Sequence, residues 1–296
     1  MSGRLCIAVL LICVSAPLGS APITFNTALP VSQGEFIVRQ QFIVREASQD
    51  ENNSNNFATK KQDTSLVSTI VYGVTPELTL FASLPFVYRE LRDANQGVRE
   101  TKGYGDSQLT ARYTIYKDDF QGGSFRIAPF IGVRLSTGRT DKEDKFGLLP
   151  MSIQSGMGAN AEFAGIVATY ANYEWELDGQ LSYVNNHTAN NVDFGNHLKV
   201  DISFQYRLFP KELSQNQDYF INGVIELNGT DKDKNTLAGF ADQNSGGVSY
   251  SLSPGIQYVS ERYILEAVVQ LPIKHPTGDA RLELDQIFRM GFRINF

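Results

Sequence analysis

Cysteine is almost missing from this chain. Its 296 residues hold two, Cys6 and Cys13, both inside an apolar stretch at the amino end. Beyond that stretch there is none. This excludes a structural disulfide, a cysteine nucleophile and a cysteine-ligated metal. It also suits a chain that crosses an oxidising compartment unfolded, where stray thiols would trap wrong disulfides. Basic charge is scarce too: 26 Lys and Arg stand against 32 Asp and Glu, a net charge of −6. That argues against nucleic acid, which requires a basic footprint. Long apolar runs are lacking outside the amino end, so no segment reaches the roughly 18 residues of a transmembrane helix. Mean hydropathy is only −0.21.

What the chain does have is aromatic residues, 19 Phe and 13 Tyr, and strict alternation. In the last nine residues Phe288, Met290, Phe292, Ile294 and Phe296 share one parity, and Arg289, Gly291, Arg293 and Asn295 the other. Side chains of a strand repeat every two residues, so this segment has one greasy face and one polar face. An edge strand of a soluble sandwich would satisfy the same pattern. A terminal strand ending on Phe also resembles the last strand of bacterial outer-membrane barrels, in which Phe288, Phe292 and Phe296 would act as an assembly signal. Barrels reconcile alternation with modest hydropathy, because only alternate residues face lipid.

The amino end reads as a secretory signal peptide over residues 1–21. Arg4 supplies its charge, Leu5 to Val14 its apolar core, and Ser15, Ala16, Gly19, Ser20 and Ala21 its small residues. The core is too short to span a bilayer. Cleavage after Ser20 or Ala21 fits, with Pro22 disfavouring the second. No small residue precedes Cys13, so a lipid anchor is not expected. Residues 22–32 form a lead-in, either a short plug or a disordered segment, and 33–296 form a single barrel domain.

Twelve alternating segments follow, near 33–45, 63–73, 78–91, 105–116, 124–137, 156–170, 173–185, 197–209, 218–229, 248–260, 263–274 and 286–296. Short connections alternate with long polar ones, among them Ala47–Gln62, Arg92–Tyr104 and Gly138–Gln154. That rhythm predicts an all-β, up-and-down antiparallel transmembrane barrel, with short periplasmic turns and long outer loops. Aromatics bracket the short turns: Tyr72, Tyr170, Tyr173, Trp175, Tyr206, Phe209, Tyr219, Phe220, Tyr258 and Tyr263. This is the expected interfacial girdle. Lipid offers no hydrogen-bond partners, so the last strand must close on the first, near Gly34–Arg45. Pro85, Pro129, Pro254 and Pro272 each delete a ladder bond.

Twelve tilted strands enclose a lumen roughly 10–12 Å wide. Its inward side chains include Arg39, Arg45, Arg112, Arg126, Arg134, Arg289 and Arg293 on some strands. Glu174, Glu176, Asp178, Glu226 and Glu266 lie on others, with Lys199, Asp201 and Arg207 on a mixed strand. A basic wall facing an acidic one would orient polar solutes. A salt-bridge network that fills the barrel reads the same residues equally well. Catalysis is not expected. His187, His197 and His275 sit in or beside loops, no Gly-x-Ser-x-Gly elbow occurs, and no cluster has metal-ligand spacing. Lysines inside Asp141–Lys145 and Asp231–Lys234 make poor calcium loops. No cofactor is expected.

Three stretches carry a family resemblance: Val71–Val87 (VYGVTPELTLFASLPFV), Gly103–Tyr113 (GYGDSQLTARY) and Ile127–Gly138 (IAPFIGVRLSTG), with an echo at Leu271–Gly278. The series resembles the outer-membrane, transporter-like family called "MetA-pathway of phenol degradation". Ser136 stands where that family usually has Pro. The resemblance spans most of the chain after the leader and is mainly turn chemistry. It implies transport of aromatic compounds and brings no catalytic residue.

The sequence thus points to the outer membrane of a Gram-negative bacterium and to a passive channel for small organic solutes, aromatic ones among them. Its partners would be outer-membrane lipid, the barrel-assembly machinery and a small solute, with no nucleic acid. A structural or adhesion barrel with a filled lumen is the alternative, and a barrel lipid hydrolase a third.

Overall fold

The computed structural model describes residues 20–48, 59–93, 97–212, 218–276 and 282–296, so the expected leader up to residue 19 lies outside it. Twelve strands cross the barrel wall: β1 (Phe36–Ser48), β2 (Lys60–Gly73), β3 (Leu78–Asp93), β4 (in three pieces, Gly97–Tyr104, Ser107–Tyr113 and Tyr116–Phe120), β5 (Gly123–Leu135), β6 (Ala161–Asn172), β7 (Trp175–Asn186), β8 (His197–Phe209), β9 (Tyr219–Lys232), β10 (Gly247–Ser260), β11 (Tyr263–Lys274) and β12 (Glu283–Asn295). Each pairs antiparallel with its chain neighbours. β12 then pairs with β1 from Ile37↔Asn295 to Ser48↔Glu283, which closes the sheet. The seam ends in a reciprocal pair, Phe36 N–H to the Phe296 carbonyl at 3.2 Å and Phe296 N–H to the Phe36 carbonyl at 2.9 Å.

The alternation sets two faces. On β8 the outward Leu198, Val200, Ile202, Phe204, Tyr206 and Leu208 are each 39–46 % exposed, while the inward Asp201, Ser203 and Gln205 are buried. The same inversion runs around the wall: large apolar side chains outside, polar ones inside. A water-soluble monomer does not carry a continuous apolar belt of this kind, whereas a lipid-facing barrel requires one.

Aromatic rings stack laterally at the short-turn end. Phe36–Tyr72 centroids lie 4.4 Å apart, Tyr170–Trp175 4.8 Å, Phe209–Tyr219 5.8 Å, Tyr219–Tyr258 5.0 Å and Tyr258–Tyr263 6.0 Å. Phe220, expected in this girdle, has the inward parity of β9 and lies 5.8 Å from the Arg207 guanidinium.

Three of the four strand prolines coincide with irregularities in a neighbouring ladder. Pro129 lies opposite the break between Tyr113 and Tyr116. Pro272 faces the register shift at Tyr250/Ser251. The Pro85 carbonyl accepts from Gly105 N–H at 2.9 Å, where β4 is interrupted. A missing N–H and a bulge are the same defect seen from two strands.

One connection departs from expectation. Within Arg92–Tyr104, expected as a loop, residues 97–104 continue the ladder to β3. The stretch is charged and lacks a greasy face. It is held instead by polar contacts, with Tyr88 Oη donating to Glu100 at 2.7 Å and Arg99 forked onto Asp144 at 2.7 and 2.9 Å. Strand pairing here needs no apolar alternation, because one side is solvated and the other is covered by the connection after β5. That connection is itself pinned by Asp106, whose two oxygens accept the N–H groups of Gly138 (3.0 Å) and Met157 (2.8 Å). A Cβ on Gly138 would lie 2.6 Å from the Gly156 Cα, so the Gly–Asp and Thr–Gly motifs are two halves of one tight crossing.

Candidate functional site

The lumen at the short-turn end is filled by the chain itself. Residues 20–32 run through it as an irregular, unladdered segment with bends at residues 23–25 and 28, and with Ala21, Ile23, Phe25, Ala28 and Val31 buried. A segment with no strand partner must have its backbone groups met by side chains. Glu226 accepts the N–H of Ile23 at 2.7 Å and of Thr24 at 3.2 Å. The Ile23 carbonyl accepts from Arg39 (2.8 Å) and Gln41 (3.0 Å), the Pro22 carbonyl from Arg293 (2.9 Å), and the Ala21 carbonyl from Gln257 (2.6 Å). Arg112 donates to the carbonyls of Thr27 and Leu29. Thr169 Oγ1 accepts the Ala28 N–H at 2.7 Å and passes its own proton toward Asp178. Thr79 Oγ1 accepts the Val31 N–H at 3.3 Å, and Asn228 donates to Thr24 Oγ1 at 2.9 Å.

Apolar contacts seat the plug as well. Ile23 packs with Val224 and Val268, and Ala28 with Ala128 and Val167. Gly73 permits the exit toward β1: a Cβ there would lie 2.1 Å from the Ser32 carbonyl oxygen.

The inward charges therefore do two jobs. Some hold plug backbone, arginines on carbonyls and Glu226 on amides. Others bind each other: Glu266, with no exposed side-chain surface, lies 2.6 Å from Arg39 and 2.6 Å from Arg293. Gly291 makes room for it, since a Cβ there would lie 2.4 Å from the Glu266 carboxylate. Glu176 and Asp178 share Gln205, at 3.4 and 3.3 Å, and Glu176 also receives Ser20 Oγ at 3.1 Å. Arg126 faces the short-turn mouth and pairs with Asp119 at 2.5 Å.

Glu174 is a correction. It is exposed in the turn before β7, where Asn172 Oδ1 accepts the N–H of both Glu174 and Trp175 at 2.8 and 2.9 Å. That side-chain turn reverses the chain one residue before the inward parity begins.

Above the plug the lumen opens into a cavity of about 450 Å³. Thr24, Phe25 and Asn26 floor it. Its walls carry Arg112, Arg134, Lys199 and Arg289, one carboxylate, Asp201, and the rings of Phe81, Phe130 and Phe163. Phe130 and Phe163 lie 6.5 Å apart, and the Arg112 guanidinium 5.0 Å from Phe81. The anchoring amides and hydroxyls Gln41, Thr79, Thr169, Asn228 and Gln257 escape a reading based on charge. Their one signal is inward parity on a strand.

Among the described residues no group of three or more His, Cys, Asp or Glu could hold a metal ion. His187 pairs with Glu162 at 2.7 Å, and no described serine hydrogen-bonds a histidine.

No protein-family model and no curated protein matches the chain, so the phenol-degradation family named on the turn motifs remains a resemblance. Among solved structures the chain is similar to the COG4313 outer membrane channel from Pseudomonas putida F1, with TM-score 0.70, 14 % identity, and coverage of 91 % of this chain and 98 % of that one. It is also similar to the β domain of the Bordetella autotransporter BrkA, with TM-score 0.50, 11 % identity, and coverage of 89 % and 100 %. At these identities the likeness concerns architecture: this chain has the fold of an outer-membrane β-barrel.

Proposed function

We propose that the protein is an outer-membrane channel for small organic solutes, gated by residues 22–32. The observation that carries this is how the plug is held. Residues 22–32, the part that follows the expected leader, are not part of any strand ladder, and they are fixed by side chains from six strands around an otherwise polar lumen. None of these bonds belongs to the strand ladder, so the plug can leave while the wall stays closed. Its exit would join the cavity to the short-turn end and complete a path.

The belt of outward apolar residues and the aromatic girdle support a place in the outer membrane, with the short turns toward the periplasm. Phe288 and Phe292, outward on β12, and Phe296, which follows its last residue, then serve as the recognition signal for the barrel-assembly machinery. The family resemblance favours aromatic solutes.

The filled lumen equally suits a structural or adhesion barrel. Liposome swelling decides between them. Proteoliposomes of the channel admit small uncharged solutes faster once the plug anchor Glu226 is replaced by Ala. A structural barrel stays impermeable with either chain.

A further inference from the structure

We infer that the cavity above the plug is a binding site for a small organic acid bearing an apolar ring. This deepens the channel reading, on which it rests, by naming a solute class.

The charge is the first argument. Lys199 has no hydrogen bond or ion pair among the described residues. Arg289 uses only its Nε, on Gln270 at 2.8 Å, and Arg134 is engaged only by the neutral Asn186 at 2.7 Å. The one carboxylate among the described lining residues, Asp201, is hydrogen-bonded by amides of Asn228 (2.9 Å) and Gln180 (3.3 Å); it feels Lys199 and Arg289 across the space but makes no direct ion pair with either. Among the described residues, three cationic groups thus face the cavity without a direct ion-pair partner. Enclosed charges of one sign favour an occupant of the other, and a carboxylate accepts from guanidinium and ammonium groups.

The rings are the second argument. Phe130 and Phe163 form an apolar patch on the same cavity, and Phe25 of the plug contributes to its floor. A volume of about 450 Å³ is that of a small-molecule site. Such sites are apolar pockets with a few convergent polar groups that orient the ligand. An inorganic anion would leave the rings unused, and a neutral hydrocarbon would leave the cations unanswered. A ring-bearing carboxylate uses both.

The test is equilibrium binding to the folded full chain in detergent, read by isothermal titration calorimetry. The probes are benzoate, its neutral counterpart benzyl alcohol, and acetate, which lacks the ring. The inference expects saturable benzoate binding, with both comparators at least about tenfold weaker, and loss of about tenfold in Lys199→Met and in Arg289→Gln. Folding of each variant is checked by heat-modifiable migration. Should Arg289→Gln not fold, Lys199→Met alone decides, since that side chain anchors nothing. Equal binding of benzoate and benzyl alcohol, equal binding of benzoate and acetate, absence of saturable benzoate binding, or variants indistinguishable from the parent would each overturn it. The readout involves no transport. A chain that binds benzoate but never conducts would sink the channel reading and leave the site, and a conducting chain that ignores benzoate would do the reverse.

Discussion

The backbone N–H of Ile23 donates to the Glu226 carboxylate at 2.7 Å, across 203 residues of sequence. The same carboxylate takes the Thr24 N–H, so one side chain of β9 carries the turn of the plug where it crosses the lumen. Hydrogen–deuterium exchange reads this contact directly. Peptides covering residues 21–32 are expected to exchange slowly in the parent chain and fast in Glu226→Ala, while strand peptides of β8 and β10 stay protected in both. Loss of protection throughout the barrel would instead make Glu226 a structural residue of the wall.

Glu266 bridges Arg39 and Arg293 and has no exposed side-chain surface. Removing one member of a buried ionic group strands the others, at a cost of about 3–5 kcal/mol. Glu266→Ala should therefore lower the urea midpoint of unfolding markedly. Glu266→Gln, which keeps the shape and hydrogen-bond acceptor and removes only the charge, should cost less than Glu266→Ala but still leave two buried cations without their counter-charge. Glu266→Ala as stable as the parent would contradict the bridge.

The two faces of β8 predict opposite tolerances. Ile202 points outward near the middle of the strand and is 45 % exposed. Placing Lys there should destabilise the folded barrel in lipid by about 2–4 kcal/mol. The same change at the inward His197, beside the cavity, should cost far less. Refolding yields into liposomes across urea check both, and equal effects would mean the inside–outside assignment is wrong.

Arg99 is hydrogen-bonded to both oxygens of Asp144, in the connection after β5, and holds that carboxyl below its usual range. The folded pKa lies below the free one, so the attachment is complete at neutral pH. It is lost only as pH falls through the depressed value, below the roughly 3.9 of a free Asp. Trypsin should then cut at Lys142 or Lys145 readily in Asp144→Asn at pH 8 and slowly in the parent. Equal cleavage would show that the pair does not restrain the loop.

The wall of the barrel was legible because lipid imposes a rule on every second residue. β8 shows it plainly: six apolar residues alternate with His197, Lys199, Asp201, Ser203, Gln205 and Arg207. Where the constraint lapses, so does legibility. Gly97–Tyr104 has no apolar face and reads as a loop although it is a strand. Residues 20–32 carry no periodic signal, because their backbone is satisfied by side chains from across the barrel and not by a neighbour in register. A plug and a disordered lead-in were therefore equal readings of Pro22–Gln33. The inward charges could be counted from parity, but their partners could not. Nothing local tells that Arg39 and Arg293 meet on Glu266, or that Phe163 and Lys199 line one cavity. Those meetings follow from closure of the sheet, which brings together strands far apart in the chain.

The most direct test of a gated channel is single-channel recording in planar bilayers of the full chain beside its Glu226→Ala variant. The account predicts rare or small openings for the parent and a higher open fraction for the variant, with the single-open-channel current carried through the same closed wall. Two folded, heat-modifiable proteins that both stay silent, or that conduct identically, would contradict it.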